Sequence, residues 1–198
     1  MPYTCDGLSV GVLLFDDHDR LLMITRAKPP EGIAPVSGHV RDENPDFTHL
    51  DAAVSEAHEE VGLTITRQNL TQVYARWQPN RCGATVPHPT GGHDWRVYRT
   101  HRWGGDVVAA EAEVEASAWY SLDQVQYLAD RTIAYAHGRI PEADWKVWPG
   151  LEPVWVDILA ITPRARKPYT KDTDFTDAFI RVPDYADLAA VQKLYTAP

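Results

Sequence analysis

Glu56, Glu59 and Glu60 stand at i, i+3 and i+4 within the segment Leu50 to Leu63. On an α-helix, at about 100° per residue, they share a sector about 100° wide. Leu50, Val54, Ala57 and Val61 fall within about 60° of one another on a neighbouring stripe suited to burial. Three carboxylates so placed repel one another unless a cation lies among them. Oxygen donors of this kind, completed by phosphate oxygens, are the ligands that Mg²⁺ or Mn²⁺ prefers. Taken alone, such a triplet reads more readily as a solvated acidic helix face.

The elements that must position these carboxylates can be read from the breakers around them. Leu8 to Phe15 and Arg20 to Thr25 are apolar runs joined by a polar turn, Asp16 to Asp19, and read as a hairpin. Pro29, Pro30, Gly32 and Pro35 break the chain into a loop ending at Ser37-Gly38-His39-Val40. Helical period begins at Asn44: Asn44 suits an N-cap, Pro45 the first helical position and Gly62 the C-terminal stop. Thr64 to Thr66, Leu70 to Trp77 and Trp95 to Trp103 are strand-like. Ser121 suits the cap of a further helix, and another is expected over Glu152 to Ile161 with Pro153 near its start. Alternating strands and helices around one central helix point to a mixed α/β sandwich.

Gly38, the capped helix, and Glu56-Ala57-His58-Glu59-Glu60-Val61-Gly62-Leu63 together resemble the box of the Nudix hydrolases. The resemblance extends to the N-terminal hairpin, the Trp119-Tyr120-Ser121-Leu122-Asp123 junction and the Gly150 to Trp155 terminal helix, about residues 7–162. It implies an α/β/α sandwich with a mixed central sheet over residues 1–163, residues 164–198 being a C-terminal extension with the apolar content of a helix. Two departures stand out. Ser55 occupies the place of the box arginine that holds the carboxylates, and the interval from Gly38 to Glu56 is three residues longer, which is expected to lengthen the helix by nearly a turn. Loss of that arginine is expected either to weaken metal binding or to be compensated by Arg41 or another base.

By this resemblance Glu56, Glu59, Glu60 and the Gly38 carbonyl are the ligands of Mg²⁺ or Mn²⁺. The implied reaction is hydrolysis of a pyrophosphate bond in a nucleoside diphosphate linked to another moiety: a nucleotide sugar, a dinucleotide or a nucleoside triphosphate. The general base stays open. Glu56 could share that role, while Glu111, Glu113 and Glu115 form an acidic stretch before Trp119, with Glu115 the foremost candidate of the three. A non-catalytic nucleotide-binding sensor is the alternative, motivated by Ser55. A diphosphate isomerase of the same fold needs a cysteine just upstream of the box, and the only upstream cysteine is Cys5.

Composition bounds these readings. The 198 residues carry a net charge of −9, which argues against coating a nucleic acid polymer or an anionic membrane. It also requires a counter-charge wherever phosphate is to bind. One local offset is the strand Trp95 to Trp103, where Arg96, Tyr98, Thr100 and Arg102 would share one face, opposite Trp95, Val97, Arg99, His101 and Trp103. Arg96, Arg99 and Arg102 are accordingly candidates for holding substrate phosphate. The two cysteines, Cys5 and Cys82, have no CxxC spacing and read as reduced thiols of a cytoplasmic protein. Cys82, His88, His93 and His101 match no standard zinc spacing. No stretch has the length of a bilayer span. The apolar tail would cover either its own domain or a second subunit in a homodimer.

Overall fold

In the computed structural model the described residues are 5–27, 31–40, 47–80, 89, 91–110, 112–164 and 177–196. The chain runs β1 (Leu8–Leu14), β2 (Leu21–Arg26), β3 (Ile33–Ala34), β4 (Val36–His39), α1 (His49–Val61), β5 (Thr71–Pro79), β6 (Gly92–Thr100) and β7 (Val114–Tyr120). Helices α2 (Leu122–Ala136), α3 (Glu142–Val147), α4 (Pro153–Ile161) and α5 (Tyr185–Thr196) follow.

The strands form a mixed four-stranded sheet, β4-β1-β6-β5, in which β1 and β6 run parallel, and an antiparallel three-stranded sheet, β3-β2-β7. Period-2 alternation divides their side chains between two cores. Val10, Val12, Leu14, Leu22 and Ile24 meet Ala53, Ala57 and Val61 of α1. Leu13, Leu21, Met23, Trp95 and Val97 meet the helical side formed by α2, α4 and α5. Strands buried on both faces read as continuous apolar runs, which is why β1 and β2 stood out in the sequence. The result is the expected α/β/α sandwich.

Three local expectations are corrected. The hairpin is not one ladder: β1 and β2 meet only at the Phe15–Leu21 bridge and then diverge into separate sheets, because each finds better partners, β4 and β6 for β1, β3 and β7 for β2. Helix α1 starts at Thr48 rather than Asn44, which lies outside the described residues with Arg41, Asp42, Glu43, Pro45 and Asp46. A capping box explains the choice: Thr48 Oγ1 accepts from Asp51 N at 3.4 Å, and the Asp51 carboxylate accepts from Thr48 N at 2.9 Å. The basic strand ends at Thr100 rather than Trp103, and Tyr98 and Thr100 are buried as well as Trp95 and Val97.

The C-terminal end of α1 came out as expected. Gly62 adopts φ 72°, a left-handed conformation that glycine takes without a Cβ penalty, and Leu63 N donates to Ala57 O at 3.1 Å. Segment 177–196 lies on the domain's own helices: Phe179, Ile180, Val191 and Tyr195 are buried in the same core as Trp155 and Leu159. No helix among the described residues is long and apolar enough to cross a membrane.

Candidate active site

The box glutamates differ sharply in environment. Glu59 is exposed, Glu56 half-buried and Glu60 buried, with 5% of its surface exposed. Glu60 Oε2 accepts a hydrogen bond from Ser37 N on β4 at 3.0 Å. Next along β4, Gly38 faces the Glu56 carboxylate so closely that a methyl group there would overlap its atoms. The glycine is needed for this close approach of a carboxylate to the backbone, not for an unusual φ.

Burial pushes the Glu60 carboxyl up to about 8, against a smaller lowering by the Ser37 hydrogen bond. The charges of Glu56 and Glu113 raise it further, and Arg26 opposes them. A buried carboxyl beside two other carboxylates ionises readily only when a cation is brought to it. Glu56, Glu59 and Glu60 supply oxygen atoms, the donor type that a hard divalent cation prefers.

Ser55, in the place of the box arginine, is not idle. Its hydroxyl donates to Glu59 Oε1 at 2.5 Å, one turn along α1, and so restrains the exposed carboxylate. Ser55→Ala is expected to keep the fold and to weaken apparent metal affinity by about tenfold or more, with kcat at saturating metal unchanged. A metal titration of initial rates checks this; an unchanged half-saturating metal concentration would contradict it.

Sequence reasoning missed Arg26. It ends β2, two residues beyond Ile24, and period-2 alternation along Leu22, Ile24 and Arg26 was the available signal for a base turned toward α1. Its guanidinium acts on Glu60 and stands 3.7 Å from the buried Glu152 carboxylate at the start of α4. Arg26 also lines a cleft of about 400 Å³ with Glu31, Glu115, Tyr120, Lys146 and Trp148. Glu113 is brought within electrostatic reach of Glu60 because the preceding loop is tied to the end of α1: Ala110 N donates to Glu60 O at 2.9 Å and Val108 N to Val61 O at 3.0 Å. Glu115 lies in the cleft, and Glu111 lies outside the described residues.

The three arginines of the β6 region are not brought together as one phosphate clamp. Arg96 pairs with Asp94. Arg99 is buried, donates to Arg164 O at 2.5 Å and stacks its guanidinium over Phe15 and Phe179. Arg99 and Arg102 border a separate cavity of about 270 Å³ with Gln68, Asn69 and Thr71. His101 stacks on Phe15 and pairs with Asp19 at 3.0 Å. Cys82 and His88 lie outside the described residues.

The NUDIX domain family matches residues 6–140 of this chain. The chain belongs to the Nudix family. It is a Nudix-type pyrophosphohydrolase, and the matched span contains Gly38, Glu56, Glu59 and Glu60. Among solved structures it is similar to a MutT NUDIX hydrolase from Burkholderia pseudomallei, with 23% identity and a TM-score of 0.45, covering 59% of this chain and 83% of that one. It is also similar to a MutT protein from Methanosarcina mazei Go1, with 18% identity, a TM-score of 0.48 and coverage of 63% and 83%. A third is the NUDIX domain of Shewanella oneidensis NrtR complexed with ADP ribose, with 18% identity, a TM-score of 0.49 and coverage of 62% and 77%. No curated protein matches the chain.

Proposed function

We propose that this Nudix chain hydrolyses, with Mg²⁺ or Mn²⁺, a pyrophosphate bond in a nucleoside diphosphate linked to another moiety: a nucleotide sugar, a dinucleotide or a nucleoside triphosphate. The observation that carries the metal requirement is Glu60, a buried carboxyl pushed up to about 8 beside Glu56 and Glu113. Glu56, Glu59, Glu60 and the Gly38 carbonyl would hold the ion. When bound it neutralises phosphate charge and makes water more acidic.

The remaining roles fall to the chain's own groups. Ser37 N holds Glu60 in place, and the Ser55 hydroxyl holds Glu59. Arg26 and Lys146 offer cations to phosphate in the cleft, while Tyr120 and the half-exposed Trp148 offer ring faces to a base. Glu115, which lines the cleft, and Glu113, which acts on Glu60, are the candidates to take a proton from the attacking water. Arg99 is committed to Arg164 and two phenyl rings and is assigned a positioning role; Arg102 and Arg96 are left as outlying phosphate contacts. The proposal sets the enzyme in the cytoplasm, with the catalytic groups within residues 1–163 and segment 177–196 completing the core beneath them.

The test is release of nucleoside monophosphate or inorganic phosphate from a panel of nucleotide sugars, dinucleotides and nucleoside triphosphates, with and without Mg²⁺. Metal-dependent turnover of at least one class is expected, abolished in Glu59→Gln. Binding without turnover across the panel would instead support the sensor reading. That reading rested on the loss of the box arginine, and it is weakened by the bond from Ser55 to Glu59.

A further inference from the structure

On the flank of the four-stranded sheet, three side chains from distant parts of the sequence converge: Cys5 ahead of β1, His39 at the end of β4 and His93 in β6. One ligand-type atom from each lies within 4.8 Å of the others. Cys5 and His93 are buried, with 3% and 2% of their surfaces exposed, and His39 is half-buried. Cys5 Sγ and His93 Nε2 are 2.9 Å apart, and the His39 and His93 rings meet edge to face at 5.0 Å.

The protonation of this cluster follows from a chain of donors. Indole nitrogen only donates, so Trp95 Nε1, 3.3 Å from Asn80 Oδ1, identifies that atom as an acceptor. His93 Nδ1, 2.6 Å from the same oxygen, must then carry its proton. Nε2 is left with its lone pair directed at Cys5. An imidazole whose far nitrogen is held by a carbonyl oxygen, and whose near nitrogen faces a thiol, is oriented as metal-ligating histidines are.

We propose that Cys5, His39 and His93 bind a zinc ion, through Cys5 Sγ, His93 Nε2 and one ring nitrogen of His39, with water in the fourth position. The donor set decides the class of ion: a thiolate with two imidazoles suits Zn²⁺ and not the Mg²⁺ suited to the glutamates. Binding replaces the Cys5 thiol proton, which leaves to solvent, with a sulfur–zinc bond. With Zn–S about 2.3 Å and Zn–N about 2.0 Å in a tetrahedral arrangement, sulfur and nitrogen sit ~3.5 Å apart. The pair therefore opens by roughly half an ångström from its hydrogen-bonded spacing. The other chemistry open to Cys5, His93 and Asn80 is a nucleophilic thiol activated by an oriented histidine, but burial of both Cys5 and His93 denies a substrate access. The ion would staple the start of the chain to β4 and β6, and His39 directly follows Gly38, so the staple sits beside the backbone that faces Glu56.

The experiment uses the full-length chain in excess Mg²⁺, loaded with Zn²⁺ or Co²⁺ and desalted. One zinc per chain is expected by elemental analysis, with loss of the ion on chelation lowering Tm. The cobalt form should show the near-ultraviolet thiolate-to-cobalt charge-transfer band, which carboxylate ligation at the glutamates cannot produce. Cys5→Ser should remove the band, and His93→Gln should reduce bound zinc at least tenfold, circular dichroism confirming that each is folded. Failure of the unmodified chain to retain zinc, absence of the band, or a band surviving in Cys5→Ser would each overturn the proposal. Rapid alkylation of Cys5 in the zinc-treated native chain, mapped by peptide mass, would favour the nucleophile instead.

Discussion

Glu60→Gln is expected to raise the thermal stability of the metal-free chain at pH 8 while removing catalysis. The carboxyl ordinarily titrates near 4.5 and does so at about 8 in the fold. Between those values the folded chain keeps a proton that the unfolded chain releases. The contribution of Glu60 to stability is therefore fully present below about pH 4.5 and is lost as pH rises through about 8. Glutamine carries no charge to desolvate and still accepts from Ser37 N. At pH 8 its metal-free Tm should exceed the parent's by roughly 5 °C or more, the two converging near pH 4.

With Mg²⁺ the order reverses, because only the parent gains stability from a ligand that binds the folded state. Its apparent affinity for Mg²⁺ should rise about tenfold per pH unit up to about pH 8, since binding must expel the Glu60 proton. Turnover in Glu60→Gln should fall by about 10²-fold or more, the equivalent of losing several kcal/mol of charge stabilisation. Differential scanning calorimetry across pH, with and without Mg²⁺, makes the comparison. Parallel Tm profiles for the two proteins would refute the assignment of Glu60.

The second large effect concerns the tail. Asp157 of α4 is buried, and burial pushes its carboxyl up while hydrogen bonds from Tyr195 and Gln192 of α5 pull it down. The Tyr195 hydroxyl donates to Asp157 Oδ2, and Gln192 Nε2 donates to the same atom at 3.0 Å. Tyr195→Phe leaves the carboxylate with a lost donor and should cost about 1–3 kcal/mol, a fall in Tm of several degrees, with kcat at 25 °C unchanged. Truncation after Pro163 is far more severe, because it also strips Phe179, Ile180, Val191 and Tyr195 from the core. At about 1.5–3 kcal/mol for each buried side chain, the loss rivals the whole net stability of a domain. The truncated chain should not unfold cooperatively, and full-length protein should sediment as a monomer, its apolar tail being satisfied internally. A truncation with the parent's Tm would show the tail to be dispensable.

What could be read in advance follows from how local each signal was. The glutamate spacing, Gly62 as the stop of α1, the Ser121 cap and Pro153 at the start of α4 are encoded within a few residues, and all took their expected places. Long-range pairings were less legible. Nothing in Leu8 to Thr25 says that its two strands part company after Phe15, because apolar runs declare burial but not partners. Arg26 escaped notice because its meaning depends on Glu60 and Glu152, far away in sequence. The sequence set His93 beside Cys82, His88 and His101; among the described residues its companions are Cys5 and His39, which no spacing rule connects. Arg99 was read as a ligand-binding base; in the fold it contacts Phe15, Phe179 and the Arg164 carbonyl and also borders the cavity that Arg102 lines.

The parting of β1 and β2 has an outcome for adaptability. Ser37 and Gly38, which frame the carboxylates, belong to the four-stranded sheet, whereas Arg26 and Glu115 belong to the three-stranded one, and Lys146 and Trp148 lie beyond it. The metal-holding end and the recognising end of the proposed site are thus carried on different frameworks, with Glu115, a candidate base, on the second. Side chains at Lys146, Trp148 or Tyr120 can be exchanged to admit a differently shaped leaving group while the carboxylate cradle keeps its backbone supports. On the proposed function, a chain built this way separates the demand of breaking a phosphoanhydride from the demand of choosing which one.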